Sequence, residues 1–452
     1  MNTNNKSDNI FCINFSDLEN RLEAEYYTPS IRATEEIIRT KSSKKLRDFI
    51  QNISSGATPS IKEEDKYYAS SKDGIPFLRV QNLNPNGQLD LEDVKHINKE
   101  THENYLRRSQ VKEGDLLVKI TGVGRMAIAS VAPKDFIGNT NQHMVVIRTG
   151  ERMISEYLAS YLNLDIVEKL ATRRATGATR PALDYPALKS IPIVENIDFS
   201  ILEKALIEKS SKENEVKALL ESIDLYLLNE LGIEKPIIDT CLENRIFITS
   251  LSQISGDRFD AFAIFFKDYK IQGGNYKNFK LREIAKVYKG QSITSDKIIE
   301  GTIPVIAGGK SSPYNHSFHN EEGNIITVSA SGAYSGYVWY HSDKIFASDC
   351  SIIKSRSEKE LSTKFLSEIL KVKQQEIYYL QQGAGQPHVY PSDLNKILIP
   401  VPTNVDGSFD VIKQLEILDT ISLIRNKAKN IQEESLQILD SAKKEIEKQL
   451  LT

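Results

Sequence analysis

The sequence lacks several features that define broad protein classes. Its three cysteines, Cys12, Cys241 and Cys350, are far apart and show no paired spacing, so neither a disulfide framework nor a zinc site is expected. No run approaches the roughly 18 consecutive apolar residues of a membrane span. The polar stretch 1–9 has no signal-peptide character. These absences predict a cytoplasmic protein in a reducing compartment, with no membrane partner.

Enzyme motifs are also missing. Residues 307–311 read Ala-Gly-Gly-Lys-Ser, but a phosphate-binding loop requires glycine at position 304, which is proline. The sequence has no nucleophile elbow, no dinucleotide-binding glycine fingerprint and no Asn/Asp-Pro-Pro-Tyr/Phe motif of amino-methyltransferases. One Asn- and Ser-rich segment holds four potential metal ligands: His316, His319, His341 and Asp349. The composition of this segment favours polar loops over a metal site. Taken together, these missing motifs lead us to expect no catalytic residue, metal or cofactor on this chain.

What the chain does have is an internal repeat. The segment Gly177–Ile193 recurs as Gly383–Ile399 without a gap, so that Pro181 matches Pro387 and Leu188 matches Leu394. Further matches follow the same order upstream: Arg21–Tyr27 with Arg258–Ile264, Gly56 with Gly290, Gly74–Leu78 with Gly301–Val305, Gly114–Gly122 with Gly323–Gly332, and Asn141-Gln142 with Ser348-Asp349. A repeat of this size predicts two similar domains. The loops between the matches differ, which indicates two different binding surfaces.

Each copy of the repeat mixes strand and helix signals. Short apolar runs at Phe77–Val80, Asp115–Ile120 and Met144–Ile147 predict strands, and the spacing within Ser155–Leu170 predicts one helix. The net charge of −3 does not exclude nucleic-acid binding, because local patches decide it.

A long amphipathic stretch follows each copy. Ser200–Leu231 has apolar residues in steps of three and four, with Gly232 suited to its C-terminal end. The second stretch starts near Asp410 and reaches the C-terminus. Two narrow apolar stripes of similar length favour an antiparallel coiled coil, although packing of each helix on its own domain is an alternative. A 32-residue helix is about 48 Å long, which corresponds to about 14 base pairs of B-DNA.

The duplicated order, in which each half ends in Gly-x-x-x-Pro and Leu before a long helix, resembles the specificity (S) subunit of type I restriction-modification systems. Two departures are Leu398–Pro400, where the first copy has Pro192-Ile193, and the missing Tyr-Tyr pair in the second Arg-Phe-Asp-Ala motif. The resemblance implies an α+β fold of two similar mixed α/β target recognition domains, with two long helices forming an antiparallel coiled coil in a pseudo-two-fold repeat. The implied organisation is an N-terminal helical arm with the first domain at 1–196, a spacer helix at 197–235, the second domain at 236–404 and a second spacer helix at 405–452.

The resemblance also implies a non-catalytic role. Such a subunit binds double-stranded DNA, two methylation subunits and two restriction subunits. The partners, not this chain, use S-adenosylmethionine, ATP and Mg²⁺ to methylate adenine and to cut DNA. Each domain reads one half of a bipartite, asymmetric target, and the helices set the spacer.

Side chains that read bases or bind phosphates must be donors or amides on loops. In the first domain the predicted DNA-binding residues are Arg79, Gln81, Asn82, Lys119, Arg125, Gln142, His143, Arg173, Arg174 and Arg180. In the second domain they are Lys289, Gln291, Lys310, Ser311, Tyr334, His341, Gln386, His388 and Tyr390. The strongest prediction is the group formed by Arg173, Arg174 and Arg180, because it flanks a glycine turn and has few acids near it in sequence.

Three alternatives stay open at the level of sequence. One is the specificity subunit of a related type IIB-like system, and another is a coiled-coil scaffold whose two heads bind protein or glycan. The third is a hydrolase without a recognisable motif. Duplex binding that weakens steeply with salt separates a DNA-recognition subunit from the scaffold. Turnover by the isolated chain, lost on mutating a single carboxylate or histidine, would identify the hydrolase.

Overall fold

The computed structural model describes residues 10–452 except 20, 178, 238–240, 242–247, 249, 251–260, 267, 313 and 384. The chain forms two compact units. Unit 1 comprises Met1–Lys212 and Glu433–Thr452, and unit 2 comprises Glu213–Gln432. Three of the seven residues of the predicted Arg258–Ile264 motif, residues 258–260, lie outside the described residues.

Unit 1 combines two four-stranded sheets with helices. Its helices are α1 Pro29–Lys41, α2 Glu64–Tyr67, α3 Arg152–Leu162, α4 Asp165–Arg174, α5 Tyr185–Lys189 and the first part of α6 Ser200–Leu231. Its strands are β1 Asn52–Ser55, β2 Ile75–Leu78, β3 Lys95–Ile97, β4 Gln110–Lys112, β5 Leu116–Lys119, β6 Ala129–Val131, β7 Ile137–Thr140 and β8 Met144–Arg148. The strand orders are β1-β8-β5-β6 and β3-β2-β7-β4, with β2 and β7 parallel.

Unit 2 has the same main sheet. Its helices are α7 Ala261–Phe265, α8 Leu281–Ile284, α9 Thr363–Val372, α10 Gln374–Tyr378, α11 Pro391–Leu394 and the first part of α12 Val411–Leu451. Its strands are β9 Lys277–Lys280, β10 Ala285–Lys289, β11 Ile303–Ile306, β12 Asn315–His316, β13 Ile325–Ser329, β14 Val338–His341, β15 Phe346–Ala347, β16 Cys350–Ser355 and β17 Leu398–Val401. The order β10-β16-β13-β14 repeats that of the first sheet, and β11 pairs in parallel with β15 as β2 does with β7.

The central strand of each main sheet is buried on both faces. In β5, Leu116 and Val118 enter the core that contains Leu158 of α3, whereas Leu117 enters a second core with Val146. Alternate side chains of a strand point to opposite faces. The apolar run of β5 is therefore continuous because both of its faces pack against protein, and its predicted strand is confirmed.

The long helices begin and end where the sequence predicts. Helix α6 covers Ser200–Leu231 and is followed by Gly232 at a φ of +61°, while α12 starts one residue after Asp410. The predicted helical stretch at 155–170 is divided between α3 and α4, because α3 ends before Asn163. The Asn163 side chain donates to the Ala129 carbonyl and accepts from the Ala129 N–H, which ties the chain to β6 between α3 and α4.

Unit 1 contains the start of α6 and the end of α12. Ala205 shares a core with Ala442 and Ile446, and Lys212 Nζ lies 2.9 Å from Glu434 Oε2. The beginning of one helix thus lies beside the end of the other, so the two segments run antiparallel within this unit.

Unit 2 contains the complementary segments. Leu227 shares a core with Ile417 and Ile421, and Lys413 Nζ lies 3.0 Å from Glu230 Oε1. The end of α6 here lies beside the beginning of α12. Each unit therefore owes part of its core to both long helices.

Candidate nucleic-acid interface

Three loops of unit 1 meet beyond the end of β5. The N–H groups of Ile120 and Thr121 both donate to the His143 carbonyl, at 3.0 and 3.3 Å, and the Gly122 N–H donates to the Pro181 carbonyl at 3.0 Å. The last contact ties the loop after β5 to the turn that follows α4. Backbone hydrogen bonds therefore fix the relative positions of these loops and leave their side chains available.

The turn after α4 is closed by pairing between Thr176 and Ala182, and it presents Arg180 to solvent. Arg180 Nη2 lies 3.1 Å from His143 Nε2. Burial, with a smaller effect of the Arg180 charge, lowers the pKa of His143. The imidazole therefore stays neutral near pH 7 and accepts a hydrogen bond from the guanidinium. Gln142 is exposed beside it and accepts a hydrogen bond from Thr58 Oγ1 at 2.5 Å.

Unit 2 repeats these backbone contacts. The Ala330 N–H donates to the Asp349 carbonyl and the Gly332 N–H donates to the Pro387 carbonyl, each at 3.1 Å. Gln382 pairs with His388 across the turn after α10. Because Ala330 occupies the place of Ile120, Asp349 is the counterpart of His143. The sequence match of Asp349 with Gln142 is therefore wrong by one position.

The exposed side chains of this second surface differ from those of the first. Lys310 Nζ lies 4.8 Å from the ring centre of Tyr334 and 5.5 Å from that of Tyr337, an arrangement that holds an ammonium group over aromatic faces. The Ser331 hydroxyl donates to the Asp349 carboxylate. The other predicted residues with exposed side chains here are Lys289, Gln291, Ser311, Gln386 and Tyr390, and the Tyr390 ring stacks on His388 at 6.1 Å.

Residues 274–452 match a family model described as the type I restriction modification DNA specificity domain. The matched segment comprises unit 2 from Gly274 onward and the whole of α12. The predicted resemblance is confirmed there.

Several solved structures resemble the chain along most of its length. One is the S subunit of a type I restriction-modification system from M. genitalium, 14% identical with a TM-score of 0.41, covering 90% of this chain and 95% of that one. A second structure comes from work on complex assembly and conformational transition of the type I R-M system. It is 14% identical with a TM-score of 0.46, covering 90% of this chain and 95% of that one. The HsdS subunit from Thermoanaerobacter tengcongensis is 13% identical with a TM-score of 0.32, at 90% and 94% coverage. A search of curated proteins gives no match.

The structure contradicts the strongest site prediction, at Arg173 and Arg174. Both side chains are 6% exposed, and their guanidinium groups lie 2.5 Å from the two carboxylate oxygens of Glu35. Tyr26 covers Arg173 at 4.2 Å. These arginines are therefore part of a buried ion cluster of unit 1, and of the predicted trio only Arg180 remains at the surface.

Three further predicted residues are buried. Asn82 accepts from the Arg79 N–H and donates to backbone carbonyls, so its amide shapes the turn after β2. Lys119 donates to the Val123 carbonyl, and in unit 2 His341 contacts the Thr327 hydroxyl at 2.8 Å. In this conformation none of the three reaches solvent, and the prediction of DNA contact is corrected for each.

The remaining predicted residues of unit 1 are accessible but partly engaged. Arg125 contacts Asp165 at 2.5 Å, and Arg79 contacts Asp93 at 3.4 Å. Gln81 is exposed and donates to the same Asp93 carboxylate. These residues lie in loops other than the one that carries Arg180.

Thr58 and Tyr337 position predicted site residues but were missed at the level of sequence. Thr58 contacts Gln142 across 84 residues of chain, so no local pattern indicates it. Among the described residues, no group of three or more His, Cys, Asp or Glu side chains is arranged to hold a metal ion. The described helices include none with the length and apolarity needed to cross a bilayer.

The turn after α10 in unit 2 offers a direct test of its backbone geometry. Gly383 has a φ of +100°, and an added Cβ would lie 2.9 Å from the Gln386 carbonyl oxygen. We expect Gly383→Ala to destabilise the turn by about 1–2 kcal/mol and to weaken any function that depends on Gln386. Gly385→Ala is the matched control, because a Cβ there meets nothing within 4 Å. Equal effects of the two substitutions on thermal unfolding and ligand binding would contradict this geometry.

Proposed function

We propose that the whole chain is the non-catalytic DNA-recognition subunit of a type I restriction-modification complex. The observation that carries the proposal is the pair of equivalent surfaces, one per unit, built by the same backbone contacts but carrying different side chains. Unit 1 presents Gln142 and Arg180, and unit 2 presents Lys310, Gln386 and Tyr390. Two such surfaces suit an asymmetric target with two different halves.

The chemistry of these surfaces suits the major groove. Guanidinium and amide groups form paired hydrogen bonds with guanine and adenine edges, respectively, and each good pair discriminates against the wrong base. Lysine and arginine also contact phosphates, which supply much of the affinity. Each unit therefore reads one half of a bipartite target.

The long helices have a separate role in this proposal. They form an antiparallel coiled coil that relates two similar target recognition domains by a pseudo-two-fold axis and sets the spacer between the half-sites. Supporting this, each unit contains antiparallel segments of both helices. Exposed apolar side chains on the helices, including Ile207, Leu225, Leu423 and Leu436, suit contacts with partner proteins.

The remaining activities are assigned to partners. In the proposed complex two methylation subunits bind the helices and use S-adenosylmethionine to modify adenine. Two restriction subunits use ATP and Mg²⁺ to move along DNA and cut it, and the complex acts in the cytoplasm.

The proposal is tested by co-expression with the neighbouring methyltransferase gene, followed by single-molecule sequencing of modified adenines. We expect a split motif that disappears when this chain is omitted. In parallel, duplex affinity of the complex should fall steeply as salt is raised. If a folded, bound partner gives no chain-dependent methylation and no salt-dependent duplex binding, the chain is instead a scaffold whose heads bind protein or glycan. A split motif produced with a fused methyltransferase-nuclease partner would assign the chain to a type IIB-like system.

The spacer role makes a geometric prediction. Deleting residues 213–219 from α6 and 427–433 from α12 removes seven residues from each helix and brings the flanking turns back into heptad phase. Seven residues span about 10 Å of helix, or about three base pairs. We therefore expect the methylated motif to keep both halves and lose about three base pairs of spacer. Deletion from one helix alone is the control and should abolish methylation, whereas an altered half-site would contradict the spacer role.

A further inference from the structure

The two units carry different residues at one equivalent position. From this difference a base preference can be inferred for each unit. We infer that Arg180 and Gln386 are corresponding specificity-determining residues. Arg180 selects guanine in the half-site read by unit 1, and Gln386 selects adenine in the half-site read by unit 2. The inference rests on the proposed function and adds to it which chemistry each unit recognises.

The equivalence of the two positions rests on backbone geometry. Each lies in a turn that follows a helix and is closed by a pair of residues, Thr176 with Ala182 and Gln382 with His388. The glycine that opens each turn has nearly the same backbone conformation, with φ values of +98° at residue 177 and +100° at residue 383. A Cβ on either glycine would lie 3.0 or 2.9 Å from the carbonyl oxygen of Arg180 or Gln386, respectively.

The same turn is attached to the same part of each main sheet. In unit 1 the residue after Arg180 accepts from Gly122, and in unit 2 the residue after Gln386 accepts from Gly332, at 3.0 and 3.1 Å. Both side chains are exposed. The two residues therefore occupy corresponding points of the two candidate surfaces.

The surroundings of Arg180 orient its guanidinium group. The neutral His143 ring holds Nη2 at 3.1 Å, while the planar fork has five donors in total. The remaining donors suit the O6 and N7 acceptors of guanine, which accept two parallel hydrogen bonds. Adenine presents a donor at the place of O6, so it opposes an arginine.

The corresponding point in unit 2 has different chemistry. Gln386 offers one acceptor and two donors, which match the N6 donor and N7 acceptor of adenine. The counterpart of His143 is Asp349, whose carboxylate accepts from Ser331 and would repel a phosphate or a guanine O6. An uncharged amide at the position of Arg180, and a carboxylate at the position of His143, therefore favour a base edge that donates, as adenine does.

The test exchanges the two residues. Arg180→Gln and Gln386→Arg are made separately in the full chain, co-expressed with the methyltransferase partner, and the methylated motifs are mapped. We expect Arg180→Gln to change one guanine to adenine in one half-site and Gln386→Arg to make the converse change in the other. Preference at the changed position should shift by about tenfold or more. In each variant the half-site read by the untouched unit is an internal control.

Two further variants serve as controls, one for the chemistry of the side chain and one for the change of charge. Arg180→Lys keeps a guanine-reading donor and should retain guanine at reduced affinity. Arg152→Gln makes the same charge change at the opposite end of β5, beside Gly114, and should leave the motif unchanged. If an exchange variant abolishes methylation, relative duplex affinities with all four bases at the position give the same readout.

The outcomes separate the inference from the function on which it rests. A uniform fall in affinity with unchanged bases would make Arg180 a phosphate contact and overturn the inference while leaving the recognition role intact. A wild-type chain that directs no methylation and binds no duplex would refute the proposed function itself.

Discussion

Replacing Glu35 by glutamine is expected to destabilise unit 1 by about 3–5 kcal/mol. Glu35 is 4% exposed at its side chain and contacts both Arg173 and Arg174 at 2.5 Å. Without its charge, two guanidinium groups remain buried with no carboxylate to offset their desolvation. The measurement is denaturant-dependent hydrogen exchange at α1 and α4, which reports the stability of this unit by itself.

The neighbouring glutamate provides the matched control. Glu36 is on the same helix and is exposed, so Glu36→Gln removes the same charge without burying an unpaired group and should change stability by less than about 0.5 kcal/mol. A similar, small effect of both substitutions would show that the ion cluster contributes no net stability.

The same cluster predicts a dependence on pH. Burial alone raises the pKa of Glu35, but the charges of Arg174, Arg39 and Arg173 outweigh it and hold the pKa below its usual value of 4.5. Stability from Glu35 is therefore complete above the unfolded pKa and is lost as pH falls through the folded one. Glu35→Gln should flatten this acid limb of the stability profile of unit 1.

In unit 2 the largest expected loss comes from Lys373→Met, again about 3–5 kcal/mol. Lys373 is fully buried and donates to the Ile271 carbonyl and to Glu376 Oε2, the latter at 2.9 Å. Burial lowers the pKa of Lys373 and raises that of Glu376, so each group depends on the other to stay charged. Methionine fills the volume but leaves the carboxylate alone.

A second substitution separates loss of charge from loss of packing. Adding Glu376→Gln removes the unpaired carboxylate and keeps an acceptor for the Ile271 N–H, which lies 3.2 Å from Glu376 Oε2. The double variant should recover most of the stability lost by Lys373→Met. Lys359→Met at an exposed position is the control, and failure of the double variant to recover would point to packing as the cause.

The elements that the sequence predicted correctly are those set by residues close together in the chain. Both long helices follow from apolar spacing and from Gly232, and the shared strand order of the units agrees with the order of the repeated motifs. The break between α3 and α4 was missed because it depends on Asn163 reaching the backbone of β6. Nothing in the adjoining sequence indicates that contact.

The candidate site was predictable only in part, because contacts between residues far apart in the sequence also decide which side chains are exposed. Arg180 was placed correctly at a surface turn because the glycine signal is local. Arg173 and Arg174 were misassigned because their partner Glu35 precedes them by 138 and 139 residues. Asp349 was matched with Gln142 from the order of the motifs alone, whereas the backbone hydrogen bonds pair it with His143. That pairing has the same offset of 206 positions as the repeat of Gly177–Ile193.

The division of α12 between the units affects the order of events during protein synthesis. Ala442, Ile446 and Leu450 fill the core of unit 1, so this unit is incomplete until the ribosome has passed residue 450. Residues 213–432 of unit 2 are contiguous and emerge earlier. The N-terminal domain usually folds first during translation. Here a nascent chain that stops after residue 432 carries every residue of its second unit while its first still lacks part of its interior.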